Sequence, residues 1–362
     1  MIKKICFFSV GFAFNRLVRM RYYEKIFPKG IKLFLFTTDK YAPAEEEREK
    51  WALKKTKVIV EKYHPIKTSF SLRRFCRENK IERLVNLGTP GAGIPFTIAT
   101  LMSKTNYLIG FYGEIFKYPF VKDRKKALVN YINLPLYFVS TLLAKKITVG
   151  GPYSYKRAAT FFLKNPKKVH FSHPSVNTDL FKQINKKKCR KKLNLSKDKK
   201  IIIRVGRINH GKCGDILMEL VKKNPDILFI TVGSWNEEEI PKIKAENLLH
   251  IEKKSSKELV EYYCASDLAF CMHRHGDQMG IVTEEALACG IPVIHSKELL
   301  MVSSPAVIKS DFSSNEASRK INEFLALDTQ KKKSLSAKAR KLVMDKFSDE
   351  VWKKRYVDFH LR

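Results

Sequence analysis

The sequence predicts an α/β protein made of two doubly wound domains, each built on a parallel sheet. Short apolar runs alternate with amphipathic segments of helical period along most of the chain, as is typical of strands joined by crossover helices. The length of 362 residues is sufficient for two domains with separate cores. Hydrophobic residues make up 44% of the chain, which favours a globular protein over a disordered one.

Strands and helices alternate in order through the first half of the chain. The patterns predict strands at residues 2–10, 31–36, 57–60, 84–87, 107–111 and 147–149, and helices at 15–27, 69–79, 93–104 and 121–144. The apolar run 131–144 is too short to span a bilayer and contains Asn133 and Pro135. The start, MIKKICFFSVGFAF, resembles a signal peptide but lacks a small-residue cleavage site, so it is predicted to be the first strand. We therefore expect a chain that does not cross a membrane.

The chain is strongly basic, and its charge is unevenly distributed. It carries 70 Lys and Arg against 36 Asp and Glu, and residues 1–180 alone hold 34 basic and 12 acidic residues, a net charge of +22. Nucleic acid, anionic lipid headgroups and phosphorylated acceptors all suit such a field. Basic and aromatic residues mix at 16–27 and at 70–77, within two of the predicted helices. The second of these stretches contains Arg73 and Arg74. These helices either share a face that lies on anionic lipid or are ordinary amphipathic helices with solvated charges.

Neither the cysteines nor the histidines predict a metal site. The seven cysteines are scattered without a Cys-x-x-Cys pair, which indicates reduced, buried thiols in a cytosolic protein. His273, Arg274 and His275 fall on a predicted loop with no third ligand nearby. For this segment, polar side chains that face solvent or contact an acceptor are therefore favoured over metal ligands.

The most informative stretch runs from residue 277 to 294 and predicts a loop, a helix and a buried strand. Residues 280–282 would form the first helical turn, whose unpaired backbone amides and positive dipole end favour a phosphate. Asp277 in the loop and Glu285 in the helix carry carboxylates, which accept hydrogen bonds from sugar hydroxyls. The pattern predicts a site for a sugar nucleotide. The alternative is an amphipathic helix whose Glu284 and Glu285 face solvent.

A pair of cations follows the first strand of the second half. The apolar run 201–205 leads into Gly206 and Arg207, and Lys212 stands five residues after the arginine. Two cations on one strand-to-helix loop can hold a diphosphate from the side opposite residues 280–282 and neutralise the charge that grows on a leaving nucleoside diphosphate. The alternative is two exposed basic residues in a chain that is rich in them. Further strands are predicted at 227–232, 248–251 and 268–271, and further helices from 214, over 255–265 and over 348–362.

These two motifs resemble the signature of glycosyltransferase family four, whose members are retaining sugar-nucleotide transferases of the two-domain GT-B fold. In that family a Glu, seven residues and a second Glu precede Ala-x-Ala-(Cys/Ser/Gly)-Gly-x-Pro-Val. Here the first carboxylate is Asp277, and Met279 replaces the usual Phe. The family's Gly-Arg with a following Lys-Gly is kept as Arg207 and Lys212, while Cys213 replaces the second glycine. The resemblance is specific in the second half of the chain and rests on pattern alone in the first.

The resemblance implies two Rossmann-like domains facing a cleft, with the donor against the second domain. It implies catalytic roles for Arg207, Lys212, Asp277 and Glu285, and nucleotide contacts from Gly206, Gly233, Ser255, Gly280, Ile281, Val282 and Glu285. The donor would be a UDP-, GDP- or ADP-sugar. Because GT-B enzymes generally work without a catalytic metal, neither a metal nor another cofactor is expected.

The acceptor side is expected in the first domain. Gly11 opens the loop after the first strand, where a doubly wound sheet binds ligands. Arg73 and Arg74 belong to the basic face. Glu114 stands where the family often has a histidine near the donor sugar, which makes it a candidate by position.

The predicted organisation is an acceptor-binding domain at 1–175, a linker at 176–199, a nucleotide-sugar-binding domain at 200–347 and a final helix at 348–362 that crosses back to the first domain. The predicted function is sugar transfer to a lipid-linked or anionic glycan acceptor, by a cytoplasmic protein bound peripherally to the cytosolic face of an anionic membrane. The rival prediction is a non-catalytic protein on the same fold that binds polyanions or nucleic acid, although no nucleic-acid module is recognisable and nucleic acid is not an expected partner. A sugar-nucleotide epimerase or a phosphorylase on this fold also stays open.

Overall fold

The chain divides into two compact units, Met1–Ser172 with Lys353–Arg362, and His173–Trp352. The structure is a computed structural model that describes residues 2–11, 14–40, 52–64, 66–87, 93–101, 106–111, 135, 139, 142, 144–149, 168–171, 175–274, 279–299 and 301–361. Within these residues, no helix combines the length and the apolar character that crossing a membrane requires.

The first unit is built on a parallel sheet. Its described strands are β1 (Lys4–Ser9), β2 (Lys32–Thr38), β3 (Thr56–Glu61), β4 (Arg83–Asn86), β5 (Asn106–Phe111), β6 (Lys146–Val149) and β7 (Val169–Phe171), and its described helices include α1 (Phe14–Ile26), α2 (Lys67–Glu78) and α3 (Gly93–Leu101). The strands pair in parallel in the order β3-β2-β1-β4-β5-β6-β7. Because the order reverses between β1 and β4, the carboxyl ends of these two strands form the place where doubly wound sheets bind ligands.

Both faces of the first sheet are covered, which accounts for the nearly continuous apolar runs in its strands. Phe7 and Phe8 are adjacent in β1 and point to opposite faces, yet both have 0% of their surface exposed. Phe7 stacks on Tyr23 of α1 with ring centroids 4.8 Å apart, and Phe8 packs on Phe96 of α3 at 6.1 Å. Tyr356 stacks on Tyr23 at 5.0 Å, so residues near the end of the chain belong to this core.

The second unit repeats the same architecture. Its strands are β8 (Lys200–Val205), β9 (Ile227–Val232), β10 (Leu248–Ile251), β11 (Leu268–Phe270), β12 (Val293–Ser296) and β13 (Val307–Ser310), and its helices are α4 (Lys186–Lys192), α5 (Gly214–Lys223), α6 (Ser256–Ala265), α7 (Ile281–Ala288), α8 (Ser314–Ala326), α9 (Thr329–Lys346) and the start of α10 (Asp349–Leu361). The described strands pair in parallel in the order β10-β9-β8-β11-β12-β13. The predicted fold class, two Rossmann-like parallel-sheet domains, is confirmed.

Helix α4 lies inside the lysine-rich stretch that was predicted to be a linker. Its first turn is capped by Asn185, whose side-chain oxygen accepts a hydrogen bond from the backbone amide of Lys188 at 3.1 Å. Only two of its residues, Cys189 and Arg190, are buried, so its apolar content is too low to mark it as a helix from sequence. The strands β7 and β13 and the helices α8 and α9 also had no counterpart in the prediction.

Arg190 anchors α4 to the second sheet. Its Nε donates to the carbonyl oxygen of Ala265 at 2.9 Å, and its Nη1 donates to that of Lys197 at 2.7 Å. Its Nη2 donates to the Asp267 carboxylate at 3.0 Å, and the same oxygen of Asp267 accepts from the amide of Ile201 at 2.8 Å. The guanidinium therefore bonds both to the segment just before β8 and to the segment just before β11.

Replacing Arg190 with Met is expected to lower the free energy of unfolding by about 3 kcal/mol, because it removes a charged partner of the Asp267 carboxylate and the side-chain donor to two backbone carbonyls. Urea denaturation followed by circular dichroism measures the change. The matched control is Lys191→Met, an exposed position on the same helix, which is expected to stay within about 0.5 kcal/mol of the parent protein. Equal effects of the two substitutions would contradict the assigned role of Arg190.

Candidate active site

The candidate site lies in the second unit, where β8 and β11 end and α7 begins. β8 and β11 are neighbours in the sheet although β9 and β10 come between them in sequence, so the switch point lies here. The helix α7 follows Gly280, and in the described part of the chain the amides of its first turn donate no hydrogen bond to a capping side chain. Among the described residues, a Cβ atom at Gly280 would meet nothing closer than 3.9 Å. Uncapped amides of this kind are suited to bind a phosphate.

Both glutamates of α7 are buried, which overturns the alternative that they face solvent. Glu284 has 0% and Glu285 8% of its surface exposed. The Tyr263 hydroxyl of α6 lies 2.9 Å from Oε2 of Glu285 and 3.3 Å from the carbonyl oxygen of Val282. Burial raises the pKa of Glu285 to about 7, although the Tyr263 hydrogen bond opposes the shift. A carboxyl group that titrates near neutral pH can accept a hydrogen bond from a sugar hydroxyl or donate one.

Lys212 ends a short 3-10 turn, His210–Lys212, between β8 and α5. The side-chain oxygen of Asn209 accepts a hydrogen bond from the Lys212 amide at 2.9 Å and closes the turn. Cys213 follows with a left-handed backbone, φ 55°, which costs a residue other than glycine roughly 1–2 kcal/mol. The family that the sequence resembles has glycine at this position, and the left-handed φ is the physical reason.

Cations dominate the surroundings of Lys212. Burial lowers the pKa of the Lys212 ammonium, and repulsion from Arg204 and Arg207 lowers it further. Arg204 projects from β8 with only 3% of its surface exposed, and its Nη1 donates to the carbonyl oxygen of Phe270 at 3.2 Å. Within the described residues, no carboxylate forms an ion pair with any of these three cations. A bound anion would relieve their mutual repulsion.

Cys271 links the cationic group to α7. This thiol, at the end of β11, is buried, and burial raises its pKa to about 11. The charges of Arg204, Lys212 and Glu285 all act on it. The cations and α7 therefore border the same place at the carboxyl edge of the sheet.

Arg274 fixes the loop that carries Lys212. Its guanidinium contacts both carboxylate oxygens of Asp215 at 2.7 Å and donates to the carbonyl oxygen of His210 at 2.6 Å. Its backbone amide donates to the carbonyl oxygen of Gly211 at 2.9 Å. Because Arg274 follows β11 and His210 follows β8, these bonds join the two loops on either side of the switch point.

The two predicted nucleotide glycines end neighbouring strands. Gly206 follows β8 and Gly233 follows β9, with φ of 111° and 135°. A Cβ atom at Gly233 would lie 2.6 Å from the carbonyl oxygen of Gly206, so a side chain cannot be accommodated there. Nothing lies within 4 Å of the corresponding position at Gly206. Close packing of two backbones explains Gly233, whereas open space lies beside Gly206.

Ser255 serves as the N-cap of α6. Its Oγ donates to Oε2 of Glu258 at 2.7 Å and accepts from the Glu258 amide at 3.4 Å, which forms a capping box. The hydroxyl is thus engaged in both directions. To bind a nucleotide base through this hydroxyl, Ser255 would have to leave the capping box.

The remaining predicted residues lie outside the described residues or in the first unit. Asp277 and Glu114 lie outside the described residues. Gly11, at the end of β1, and Arg73 and Arg74, on α2, belong to the first unit. Arg74 is exposed and Arg73 is half-buried.

The histidine segment differs from its prediction. His273 was expected at the surface, but it has 6% of its surface exposed, and its ring packs edge-on against His295 at 4.8 Å. His275 lies outside the described residues. Among those that are described, no group of three or more His, Cys, Asp or Glu side chains could hold a metal ion.

Sequence reasoning missed Arg204, Tyr263 and Arg274. A signal existed for Arg204, since an arginine inside an apolar run is rare in a buried strand and indicates a specific partner. Tyr263 and Arg274 carried no local signal, because their partners, Glu285 and Asp215, are distant in sequence.

Comparison with known sequences identifies the second unit. Residues 185–342 match the family described as Glycosyl transferases group 1. The D-inositol 3-phosphate glycosyltransferase of Mycobacterium marinum is 25% identical over 162 residues, which are 42% of this chain and 34% of that protein. The chain thus spans about a third of the length of the curated relatives it matches.

Comparison with solved structures covers the whole chain. A glycosyltransferase from Rickettsia africae has a TM-score of 0.76 at 15% identity, with 99% of this chain and 98% of that chain covered. HepE from Anabaena, in complex with UDP and glucose, has a TM-score of 0.75 at 14% identity, with 99% of each chain covered. This likeness extends the shared fold to the first unit, where the sequence matches do not reach.

The fold is therefore that of the GT-B glycosyltransferases. The sequence match to Glycosyl transferases group 1 covers residues 185–342, somewhat less than half of the chain, so it applies to the second unit.

Glu285 makes stability depend on pH. Its folded pKa of about 7 lies above the ordinary value of 4.5, so the folded state holds the proton more tightly than the unfolded state. The contribution is fully present below pH 4.5, declines as the pH rises and is lost above pH 7. From pH 5 to pH 8 the loss is expected to be roughly 3 kcal/mol.

Comparing Glu285→Gln with the parent protein in urea denaturation at both pH values isolates this contribution, because the variant lacks the titrating group. The variant is expected to gain stability relative to the parent at pH 8. A stability difference that stays constant between pH 5 and pH 8 would contradict the assignment.

Proposed function

We propose that this protein is a retaining glycosyltransferase that uses a nucleotide diphosphate sugar. The observation that carries the proposal is the juxtaposition of Arg204, Arg207 and Lys212 with the uncapped first turn of α7 at the switch point of the second sheet. A diphosphate carries the negative charge that would balance these cations. The size of a diphosphate also suits a site with a helix N-terminus on one side and a lysine on the other.

A UDP-sugar is the first donor to test. HepE, which shares the fold, was solved with UDP and glucose and also with UDP-glucose. GDP- and ADP-sugars are the other candidates. In the proposed complex the backbone amides of Gly280, Ile281 and Val282 bind the diphosphate. Glu285 accepts a hydrogen bond from a ribose hydroxyl, and Asp277 accepts hydrogen bonds from hydroxyls of the donor sugar.

The proposed chemistry is stabilisation of the leaving group by fixed charge. As the glycosidic bond breaks, negative charge grows on the nucleoside diphosphate, and Lys212 and Arg207 stabilise it more strongly than they stabilise the intact donor. These cations and the helix terminus take the place of a metal ion. The sugar leaves from the same face that the acceptor attacks, so its anomeric configuration is retained.

The acceptor is proposed to be lipid-linked or an anionic glycan, reached at the cytosolic face of a membrane. The support is the exposed side of α2 and the turn before it. Ile66 and Phe70 have 53% and 56% of their surface exposed, an unusual exposure for such residues, and the exposed Arg74 and Arg77 belong to the same helix. Apolar side chains among cations suit insertion between anionic headgroups.

Lys212→Ala is expected to reduce sugar transfer or donor hydrolysis at least about a hundredfold, because it removes a charge that stabilises the leaving group. The measurement is release of nucleoside diphosphate from UDP-, GDP- and ADP-sugars, with a thermal-shift screen of the same nucleotides. Lys244→Ala, at an exposed position of the same unit, is the matched control and should keep the parent rate.

A near-normal rate for Lys212→Ala would place the diphosphate elsewhere, and inversion at the anomeric carbon of the product would refute the retaining mechanism. The screen includes single-stranded nucleic acid as a competitor. Steeply salt-dependent binding to nucleic acid with no response to any nucleotide would instead favour the non-catalytic polyanion-binding function.

The double variant Phe70→Ser with Arg74→Gln is expected to weaken binding to vesicles that contain anionic phosphatidylglycerol by about tenfold, because it removes an inserting ring and a headgroup partner. Sedimentation with vesicles measures the bound fraction. The control, Met344→Ser with Lys341→Gln, makes the same kind of change on α9, where both side chains are also exposed. Equal loss in the two double variants would mean that overall charge, and not α2, holds the protein to the vesicle.

A further inference from the structure

A cavity lies in the second unit, at the edge of the sheet opposite the candidate active site. Its volume is about 740 Å³. Asp267 and Pro292, which line it, directly precede β11 and β12, so the cavity lies at the amino ends of the strands. The candidate active site lies at their carboxyl ends. A molecule in this cavity therefore occupies a place separate from the donor.

Lysines from two helices converge on the cavity. Lys186 and Lys187 come from the start of α4, and Lys332 and Lys333 come from the first turns of α9. The single carboxylate in the described lining is Asp267. It already accepts from Lys186 at 2.8 Å, from Arg190 at 3.0 Å and from a backbone amide at 2.8 Å. Three of the four lysines are thus left without a compensating carboxylate in the described lining.

The mutual repulsion of these cations is visible at Lys332. Its ammonium donates to the carbonyl oxygen of Leu325 at 2.6 Å. Burial lowers its pKa, and the nearby charges of Lys200 and Lys186 lower it as well, while Asp267 and Asp328 act in the opposite direction. Gathering like charges in one cavity is costly in the free protein, and a bound anion would offset that cost.

The rest of the lining is apolar or uncharged. Phe324 and Ile291 have 5% and 6% of their surface exposed and form an apolar wall. Ser336 contributes a hydroxyl that donates to the carbonyl oxygen of Gly290 at 2.6 Å and accepts from Gln183 at 2.7 Å. The volume is within the range of pockets that bind small organic molecules. Cationic and apolar parts side by side suit a ligand with one charged group and an organic body.

We propose that this cavity binds a small phosphorylated organic molecule, with its phosphate at Lys187, Lys332 and Lys333 and its organic part against Phe324 and Ile291. Lysine ammonium groups are effective point charges for phosphate. The site is distinct from the donor site and does not depend on the function proposed above.

The cavity also contacts the two helices that form the candidate active site. Cys264 and Cys289 line it. Cys264 follows Tyr263 in α6, and Cys289 comes one helical turn after Glu285 at the end of α7. An occupant of the cavity touches the same two helices that hold the hydrogen bond between Tyr263 and Glu285.

Isothermal titration with glucose 6-phosphate, with glucose as the neutral comparator, tests the proposal on the full-length protein. Glucose 6-phosphate is expected to bind and glucose is not. The double variant Lys332→Gln with Lys333→Gln should weaken binding by at least about tenfold, since each lysine supplies a charge-assisted hydrogen bond. Unfolding midpoints of the variants confirm that the fold is kept.

Two further variants separate this site from other sources of binding. Lys338→Gln with Lys341→Gln removes the same charge from exposed positions of α9 and should leave the affinity unchanged, whereas an equal loss would assign the binding to overall charge and overturn the proposal. Lys212→Gln should also leave it unchanged, whereas loss there would place glucose 6-phosphate in the donor site. No binding by the parent protein would overturn the proposal outright. None of these outcomes bears on whether nucleotide sugars are used.

Discussion

The ion pair between Arg274 and Asp215 determines how the two loops at the switch point of the second sheet meet. β8 and β11 pair directly, and the loops that follow them are joined by a backbone hydrogen bond from the Arg274 amide to the Gly211 carbonyl oxygen and by the Arg274 side chain. The pair is partly exposed, at 24% and 34%, so its contribution to stability is about 1 kcal/mol or less. Its importance is geometric: a two-point contact fixes orientation, and the turn that ends in Lys212 is held by the same guanidinium.

Charge in the candidate site is arranged in favour of an anion. Arg204 and Lys212 are taken out of solvent without a carboxylate partner among the described residues, which is unfavourable for the free protein. Glu285 acts on the same buried thiol, Cys271, as these cations, but burial raises its pKa to about 7, so it is only partly ionised at neutral pH. The site therefore keeps its positive field, and a diphosphate gains more from binding than it would beside an ionised glutamate.

The parts of the structure that follow local pattern were predictable, and those that depend on distant pairs were not. Alternation of apolar runs and amphipathic segments defined most strands of both sheets, and the match to the family motif singled out Arg207 and Lys212. Helix α4 was hidden because its sequence, KKKCRKK, buries two side chains only. The burial of Glu284 and Glu285 could not be predicted from a helix of eight residues, because adjacent elements, and not the helix's own period, cover its polar side.

Two of the three departures from the family signature, Cys213 and Met279, are compatible with catalysis when their surroundings in the structure are considered. Cys213 adopts the left-handed φ that the family assigns to glycine, and its side chain is fully buried in the core, so packing offsets part of the backbone cost. Met279 has 2% of its surface exposed and joins the core cluster beneath α7, where an unbranched apolar side chain can fill space that Phe would occupy. Both substitutions thus preserve the backbone path that carries Lys212 and Gly280. The rival non-catalytic function then rests on Asp277 alone among the three departures, a carboxylate that keeps its charge and loses one methylene of reach.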